Sequence, residues 1–324
     1  MDSISLIKSP ISAELEDFKK HFDTCLSSSN LLLNSVIAHI RQKNGKMMRP
    51  ILVLLAAKLY NEVRPATLHA AVALELLHTA SLVHDDVVDE STERRGQLSV
   101  NAIFNNKVAV LTGDYLLATA LVEVGMTRNY AIIDLVSNLG QDLAEGELLQ
   151  LSNVSNPEYS EEVYFDVIRK KTAVLFAACM KAGALSVGVD DEKAEYARLF
   201  GEYIGLCFQI KDDIFDYYES KEIGKPTGND MLEGKLTLPA LYALNSTHDK
   251  QAKEIAVKVK NGTATTGEIA RLIEFTKEHG GIEYATKVMV EFKEKALSLL
   301  ASMEDTDVKK ALVCYLDYVV EREK

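Results

Sequence analysis

TLHAAVALELLHTASLVHDDVVDESTERRG, residues 67–96, is the stretch whose reading decides the fold. From Thr67, a residue type suited to capping a helix N-terminus, the chain runs past residue 88 with no Gly or Pro and with apolar residues at helical spacing. In that register His78, Leu82, Asp85 and Asp89 share one stripe, because steps of three and four residues return to the same face; Ser81 borders it. Carboxylates one turn apart on an otherwise apolar helix are costly to bury unless a cation pairs with them. Arg94 and Arg95 follow directly. One stretch therefore offers carboxylates to a metal and guanidiniums to an anion, the makings of a metal-bridged phosphate site.

The rest of the composition suits a large helical protein. The 324 residues are 47% hydrophobic, enough for a sizeable core, and only 17 Gly and 6 Pro interrupt them, which favours long helices over a turn-rich β fold. A formal charge of −12 argues against nucleic acid as a partner and is compatible with holding divalent cations. The four cysteines, Cys25, Cys179, Cys207 and Cys314, lie far apart with no CxxC spacing, so reduced, buried thiols are expected. The N-terminal MDSISLIKSP has neither the basic nor the apolar part of a leader, and no stretch reads as a membrane span. These features lead to the expectation of a soluble cytoplasmic protein.

Working outward, residues 12–29 and 30–43 read as amphipathic helices, and GKMMRP at 45–50 ends one helix and opens the next. Beyond Gly96, the segment NAIFNNKVAVLTGDYLLATALVEVGM becomes apolar on nearly every side, as in a bundle centre or a subunit interface. Further helices are expected over 130–152, from Ser160 through IRKKTAVLFAACMKAGAL, and over Glu192 to about Tyr218; a lysine-rich loop then leads into helices that continue to the end. No strand-like alternation persists. The expectation is an all-α protein, a single domain over residues 1–324.

Two motifs carry the chemistry. Asp85-Asp86-Val87-Val88-Asp89 and Asp212-Asp213-Ile214-Phe215-Asp216 are both DDxxD, both late in an apolar helix, 127 residues apart. A lone DDxxD is more often a solvated helix end. The pair is more telling, since apolar residues before each run should draw the aspartates inward, and Mg²⁺ commonly bridges one or two carboxylates to substrate phosphates. No phosphate-binding loop of GxxxxGK[ST] type is present. Basic residues flank both motifs: Lys46 and Arg49 at i, i+3, then Arg94 and Arg95, Lys171 before an apolar helix, and Lys225 and Lys235 in the long loop. His21, His39 and His279 read as ordinary surface residues, and His84 has no assigned role.

With these residues in place the sequence resembles the trans-isoprenyl diphosphate synthases (polyprenyl synthetases) over nearly its whole length. The likeness is carried in order by GKMMRP, LLHTASLVHDDVVDESTERRG, GDYL at 113–116, AEGELLQL, Lys171-Thr172, FQIKDDIFD at 208–216 and GKPTGNDMLEGKLTLP. The resemblance implies a large helical bundle around a deep central cavity, usually a homodimer, with three Mg²⁺ ions. It implies Asp85 and Asp89, with Asp86 nearby, as first-motif metal ligands, and Asp212, supported by Asp213 and Asp216, in the second. Arg94, Lys171, Thr172, Gln209, Lys225 and Lys235 resemble contacts to an allylic diphosphate; Lys46, Arg49, His78 and Arg95 resemble an isopentenyl diphosphate site. The reaction implied is departure of pyrophosphate from the allylic substrate, attack of the isopentenyl double bond on the resulting cation and loss of a proton, for which no side-chain nucleophile is needed. Lys171, Asp85 and Asp212 are the residues expected to matter most for the chemistry.

Product length is read from the turns before the first motif. Ala80 and Ser81 are small where short-chain members of the family place an aromatic residue that closes the cavity. The path towards Leu77 and Leu74 is then open, giving the expectation of a hexaprenyl-to-decaprenyl product, octaprenyl above all, suited to a quinone side chain. The bland alternative is that small residues there only allow close helix packing. The competing functions are a farnesyl or geranylgeranyl synthase, a terpene cyclase and a subunit of a heteromeric synthase. The isopentenyl-site set Lys46, Arg49 and Arg95 and the second DDxxD disfavour the cyclase, and the subunit should have lost an acidic cluster where both are intact. Product release would bring the enzyme into transient contact with a membrane.

Overall fold

The computed structural model describes residues 2–42, 45–94, 96–154, 160–218 and 227–322. In chain order the helices are α1 (Ser3–Lys8), α2 (Ser12–Cys25), α3 (Leu31–Gln42), α4 (Met48–Tyr60), α5 (Pro65–Val88), α6 (Val100–Phe104), α7 (Asn106–Met126), α8 (Tyr130–Val154), α9 (Glu161–Ile168), α10 (Val174–Ser186) and α11 (Asp191–Phe215). They continue with α12 (Asn229–Leu232), α13 (Leu238–Ser246), α14 (Lys250–Lys260), α15 (Thr266–Glu278), α16 (Gly281–Leu300) and α17 (Asp307–Glu321). Among the described residues the only strands are β1 (Glu93–Arg94) and β2 (Gln97–Leu98), an antiparallel ribbon just past the first acidic motif. The all-α expectation holds.

The chain divides into two compact units. The first comprises Met1–Gly140, Leu175–Gly201 and Met303–Tyr315; the second comprises Gln141–Val174, Glu202–Ser302 and Leu316–Lys324.

In the first unit α5 is the core helix. Its start differs from the expectation: Thr67 is not the cap. Pro65, whose fixed φ suits the first helical position, sets the start, and Thr67 stands at the third, where its Oγ1 accepts the Arg64 backbone N–H at 3.1 Å. Val72, Leu74, Leu76, Leu77 and Val83 are buried along it, each contributing roughly 1.5–3 kcal/mol of burial. Asp89 caps the helix and Glu90, in a left-handed conformation (φ 51°), turns the chain away.

Both α5 and α7 are long and apolar enough to cross a membrane by length and composition, contrary to the reading that no stretch reaches that length. For α5 the reason is the core: 61% of its most apolar window is buried within the protein, against 39% for α7. Leu111, Leu121, Val122 and Met126 of α7 are exposed.

In the second unit the main local irregularity is a π-helical turn, Arg169–Ala173, between α9 and α10. Such turns, which insert an extra residue into the helical ladder, concentrate at functional sites. Two glycines make room for it. A Cβ on Gly146 of α8 would stand 3.0 Å from the Lys171 nitrogen, and one on Gly205 of α11 would stand 2.5 Å from the Ala173 Cα.

Candidate active site

The first acidic motif occupies the C-terminal end of α5. Helical spacing separates its aspartates: Asp85 is half-exposed and Asp89 exposed, while Asp86, a hundred degrees round the helix, is 2% exposed. Arg94, on β1, reaches back to Asp86, with both Nε and a terminal guanidinium nitrogen 2.8 Å from Oδ1. The Asp86 backbone carbonyl accepts from Ser91 N and Asn101 Nδ2. Burial pushes the Asp86 carboxyl up and Arg94 opposes that shift. The ribbon that follows α5 is therefore fastened to the motif through its middle aspartate. Arg94→Ala is expected to destabilise the protein by about 2 kcal/mol. That is below the ~3–5 kcal/mol of a fully buried broken pair, because Arg94 is partly exposed and screened. A thermal unfolding midpoint equal to that of the parent would contradict this.

A cleft beside Asp86 brings together several residues singled out from the sequence. His78, Asp86 and Arg94 line it with Gly45 and Met47 of the GKMMRP segment, and with Glu75 and Gln97. Met47 holds a left-handed backbone (φ 52°), a strained turn immediately before α4. Lys46 is exposed. Arg49 lies over the Phe176 ring at 5.1 Å, and its buried Nε has no hydrogen-bond partner. A buried guanidinium nitrogen without an acceptor is costly, and an anion at this position would satisfy it. Arg95 lies outside the described residues.

The GDYL glycine also finds its reason here. A Cβ on Gly113 would fall 2.1 Å from His84 Nε2, so Gly113 admits the imidazole between α5 and α7, where it sits 3.2 Å from the Val110 carbonyl. His84 packs and bonds locally, in line with its lack of an assigned role. Ala80 is fully buried, Leu77 nearly so, and the Ser81 hydroxyl donates to the His78 carbonyl at 2.9 Å. None of these three lines the cleft, whose α5 wall includes Glu75, Leu76, His78, Thr79, Leu82, Val83 and Asp86.

The second motif occupies the C-terminal end of α11 and repeats the division. Asp213 is 3% exposed and accepts hydrogen bonds from the Tyr164 hydroxyl (2.6 Å) and from Gln209 Nε2 (2.8 Å). Burial pushes its carboxyl up to about 7, against those two bonds and with help from the Asp212 and Asp216 charges. Asp212 is half-exposed and its Oδ1 accepts from Arg322 at 2.6 Å; the guanidinium lies 4.0 Å over the Phe208 ring. Asp216 accepts the backbone N–H groups of Asn229 and Asp230, which ties the end of α11 to α12.

A second cleft, within this unit, gathers Lys171, Thr172, Gln209 and Lys235 around Asp213 and Asp230. The π turn presents Lys171 and Thr172. Lys171 pairs with Glu147 (2.5 Å) and Gln150 (3.3 Å) of α8, while Thr172 donates to Gln209 Oε1 at 2.7 Å. Burial, with the charges of Asp213 and Asp216, raises the Asp230 carboxyl, and Lys235 opposes the shift. Lys225 lies outside the described residues. Sequence reasoning missed Tyr164, Asp230 and Arg322. Asp230 stood in a motif already quoted, but Tyr164 and Arg322 lie 49 and 110 residues from the aspartates they serve and carry no local signal.

The donor set fits magnesium. Each motif presents carboxylates, hard oxygen ligands, at the negative end of a helix, where uncompensated anions are unfavourable and a cation is stabilised. Burial is the main reason that the Asp213 and Asp86 carboxyls are raised, and the charges of neighbouring aspartates add to it at both helix ends.

Comparison with known proteins agrees. The family description "Polyprenyl synthetase" matches residues 30–276. Octaprenyl diphosphate synthase of Escherichia coli is 34% identical over 300 residues, covering 92% of this chain and 93% of that one. A crystal structure of geranylgeranyl pyrophosphate synthase from Bacteroides thetaiotaomicron is 67% identical, covers 99% of this chain and 100% of its own, and superposes with a TM-score of 0.88. Polyprenyl synthase from Caulobacter crescentus, complexed with calcium and isoprenyl diphosphate, is 32% identical with a TM-score of 0.92, covering 99% of this chain and 98% of its own. The chain belongs to the polyprenyl synthetase family and is a prenyltransferase.

Proposed function

We propose that this prenyltransferase uses magnesium to join isopentenyl diphosphate to an allylic diphosphate, building an all-trans polyprenyl diphosphate longer than geranylgeranyl, with octaprenyl as the specific expectation. The observation that carries the chemistry is the repeated build of the two motifs: a half-exposed leading aspartate at a helix C-terminus, beside a buried neighbour held by its own partners. In this reading the two units work as one polyprenyl synthetase domain.

Asp85 and Asp89, with Asp212 and Asp216, would hold the metal, three ions in all; Asp86 and Asp213 support them from inside. Bound magnesium supplies Lewis acidity towards the departing pyrophosphate. Lys171, Thr172, Gln209, Lys225, Lys235 and Arg94 bind the allylic diphosphate, and their donors stabilise the negative charge that grows as it leaves. Lys171 must exchange Glu147 and Gln150 for phosphate oxygen to do so. Lys46, Arg49, Arg95 and His78 orient isopentenyl diphosphate so that its double bond meets the allylic carbon, and the unpartnered Arg49 Nε supports an anion there. The proton lost as the new double bond forms goes to pyrophosphate.

The long-chain reading rests on Ala80 and Ser81, small residues before the first motif. Ser81→Phe is expected to shorten the main product, read by chromatography after dephosphorylation; an unchanged length distribution would remove the argument. A second reading, a geranylgeranyl product, is favoured by the 67% identity to the Bacteroides thetaiotaomicron synthase. Incubating the purified protein alone with isopentenyl and farnesyl diphosphates and Mg²⁺ separates the outcomes. Products beyond geranylgeranyl support the first reading, geranylgeranyl alone the second, and no product points to a subunit that needs a partner chain.

The exposed apolar face of α7 supports a homodimer, with Leu111, Leu121, Val122 and Met126 covered by a second copy. A cytoplasmic location, with transient membrane contact during product release, is the sequence expectation carried into this reading.

A further inference from the structure

Away from the first aspartate motif, four chemistry-bearing side chains converge in the first unit with no part in the proposed prenyl transfer. Glu123 continues the buried stripe of α7 through Gly113, Leu116 and Ala120, a position where a leucine would be expected, and its side chain is only 9% exposed. Its Oε2 lies 2.8 Å from His21 Nε2 and 2.7 Å from His69 Nδ1, and the Cys25 Sγ donates to its Oε1 at 3.0 Å. The two imidazoles meet edge-on, ring centroids 4.7 Å apart. His21 and Cys25 stand at i, i+4 on α2, one face of one helix. His21 is thus no ordinary surface residue. Along α5, His69 stands sixteen residues before Asp85, about 24 Å of helical rise, so this cluster is not an extension of the magnesium site.

A simple device for burying Glu123 would need a donor or two. Here two imidazoles crowd one oxygen and a thiol takes the other, which leaves a nitrogen, a sulfur and an oxygen grouped as ligands. The candidate ligand atoms of His21, Cys25 and Glu123 all lie within 4.8 Å of one another. Tetrahedral zinc, with bonds of about 2.0–2.3 Å, holds its ligand atoms roughly 3.3–3.8 Å apart, so a small rearrangement of three side chains suffices, in which the two hydrogen-bonded contacts to Glu123 lengthen to admit the ion. Thiolate and imidazole select zinc-like ions over magnesium, which takes oxygen.

We propose that His21, Cys25 and Glu123 bind a zinc-type divalent ion that fastens α2 to α7, with His69 donating to Glu123 as the positioning residue behind it. The thiolate and carboxylate together neutralise the ion, which resolves the burial of Glu123 without a residual charge. In the metal-free protein, burial and the Glu123 carboxylate push the Cys25 thiol up to about 12, so it is protonated; binding transfers that proton to solvent. A carboxylate–histidine contact of this kind fixes the ligand's orientation, and its loss typically weakens metal affinity about 10–100-fold.

The test is titration of the full chain, freed of metal by chelation, with Co²⁺ in the presence of saturating Mg²⁺. The expected result is one ion per chain with a thiolate-to-cobalt charge-transfer band in the near ultraviolet and intense tetrahedral bands in the visible, all bleached by Zn²⁺. Cobalt held by aspartates alone gives no thiolate band. Cys25→Ser should abolish the band and Cys314→Ser should keep it, while His69→Gln should weaken binding about 10–100-fold with the band retained. Zn²⁺ should raise the thermal midpoint of the parent and leave that of Cys25→Ser unchanged, with prenyl transfer preserved in both. Should Cys25→Ser fail to fold, His21→Gln serves as the second variant and must lose the tetrahedral bands. No thiolate band in the parent, or the same band in Cys25→Ser, overturns the proposal.

Discussion

Asp85→Asn is expected to lower kcat by about 10³-fold or more while leaving the thermal midpoint within a degree or so of the parent; Asp86→Asn should do the reverse in stability, losing several degrees. The two residues are adjacent, and only helical geometry separates their roles. Asp85 is half-exposed at the end of α5, so under the proposed function removing its charge would take a ligand from the metal and little from the core. Asp86 is 2% exposed and carries both contacts from Arg94, so an amide there leaves the guanidinium without its anion and loosens the β1–β2 ribbon. The expected cost is about 2 kcal/mol, moderated because Arg94 is partly in water. Steady-state kinetics at fixed Mg²⁺ and a thermal melt on each variant decide the matter. Equal loss of kcat without loss of stability in both variants would mean that Asp86 also ligates metal.

Gly205→Ala is expected to cost about 2 kcal/mol and to reduce activity about 10–100-fold, a disproportionate effect for one methyl group. The added carbon would stand 2.5 Å from the Ala173 Cα and 3.0 Å from its Cβ, atoms fixed to the backbone that no rotamer change moves. Ala173 closes the π turn that presents Lys171 and Thr172, and Thr172 bonds Gln209 one turn along α11 from Gly205. Forcing α11 away should therefore displace the side chains of the second cleft together with the core. Gly140→Ala on α8 is the control. An added Cβ there meets nothing within 4 Å, so the substitution should stabilise by about 0.5–1 kcal/mol with activity unchanged. If both variants melt and react alike, the close approach of α11 to the π turn is not what holds Lys171 in place.

Both acidic motifs and most of the basic residues were legible in the sequence because they are local: Asp85 and Asp89, or Asp212 and Asp216, declare a shared helical face by spacing alone. The helices were legible for the same reason, as an apolar period of three to four residues with few Gly or Pro leaves little else. The exact start of α5 was not. Thr67 has the residue type of a cap, but Pro65 two residues earlier already satisfies the first turn, and the hydroxyl serves from the third position instead. Membrane-span length was misjudged because α5, as the core helix of its unit, is as apolar as a spanning one.

The sequence by itself determined the all-α class, the family and the residues that hold charge, because each depends on the order and spacing of neighbouring side chains. Only the tertiary structure decided which aspartate of each motif faces inward, that Tyr164 and Arg322 serve the second motif, and that His21, Cys25, His69 and Glu123 meet at one point. Those pairings join residues tens to over a hundred positions apart, and the packing of helices that brings them together is set by shape and burial summed over whole faces, not by any short run of residues.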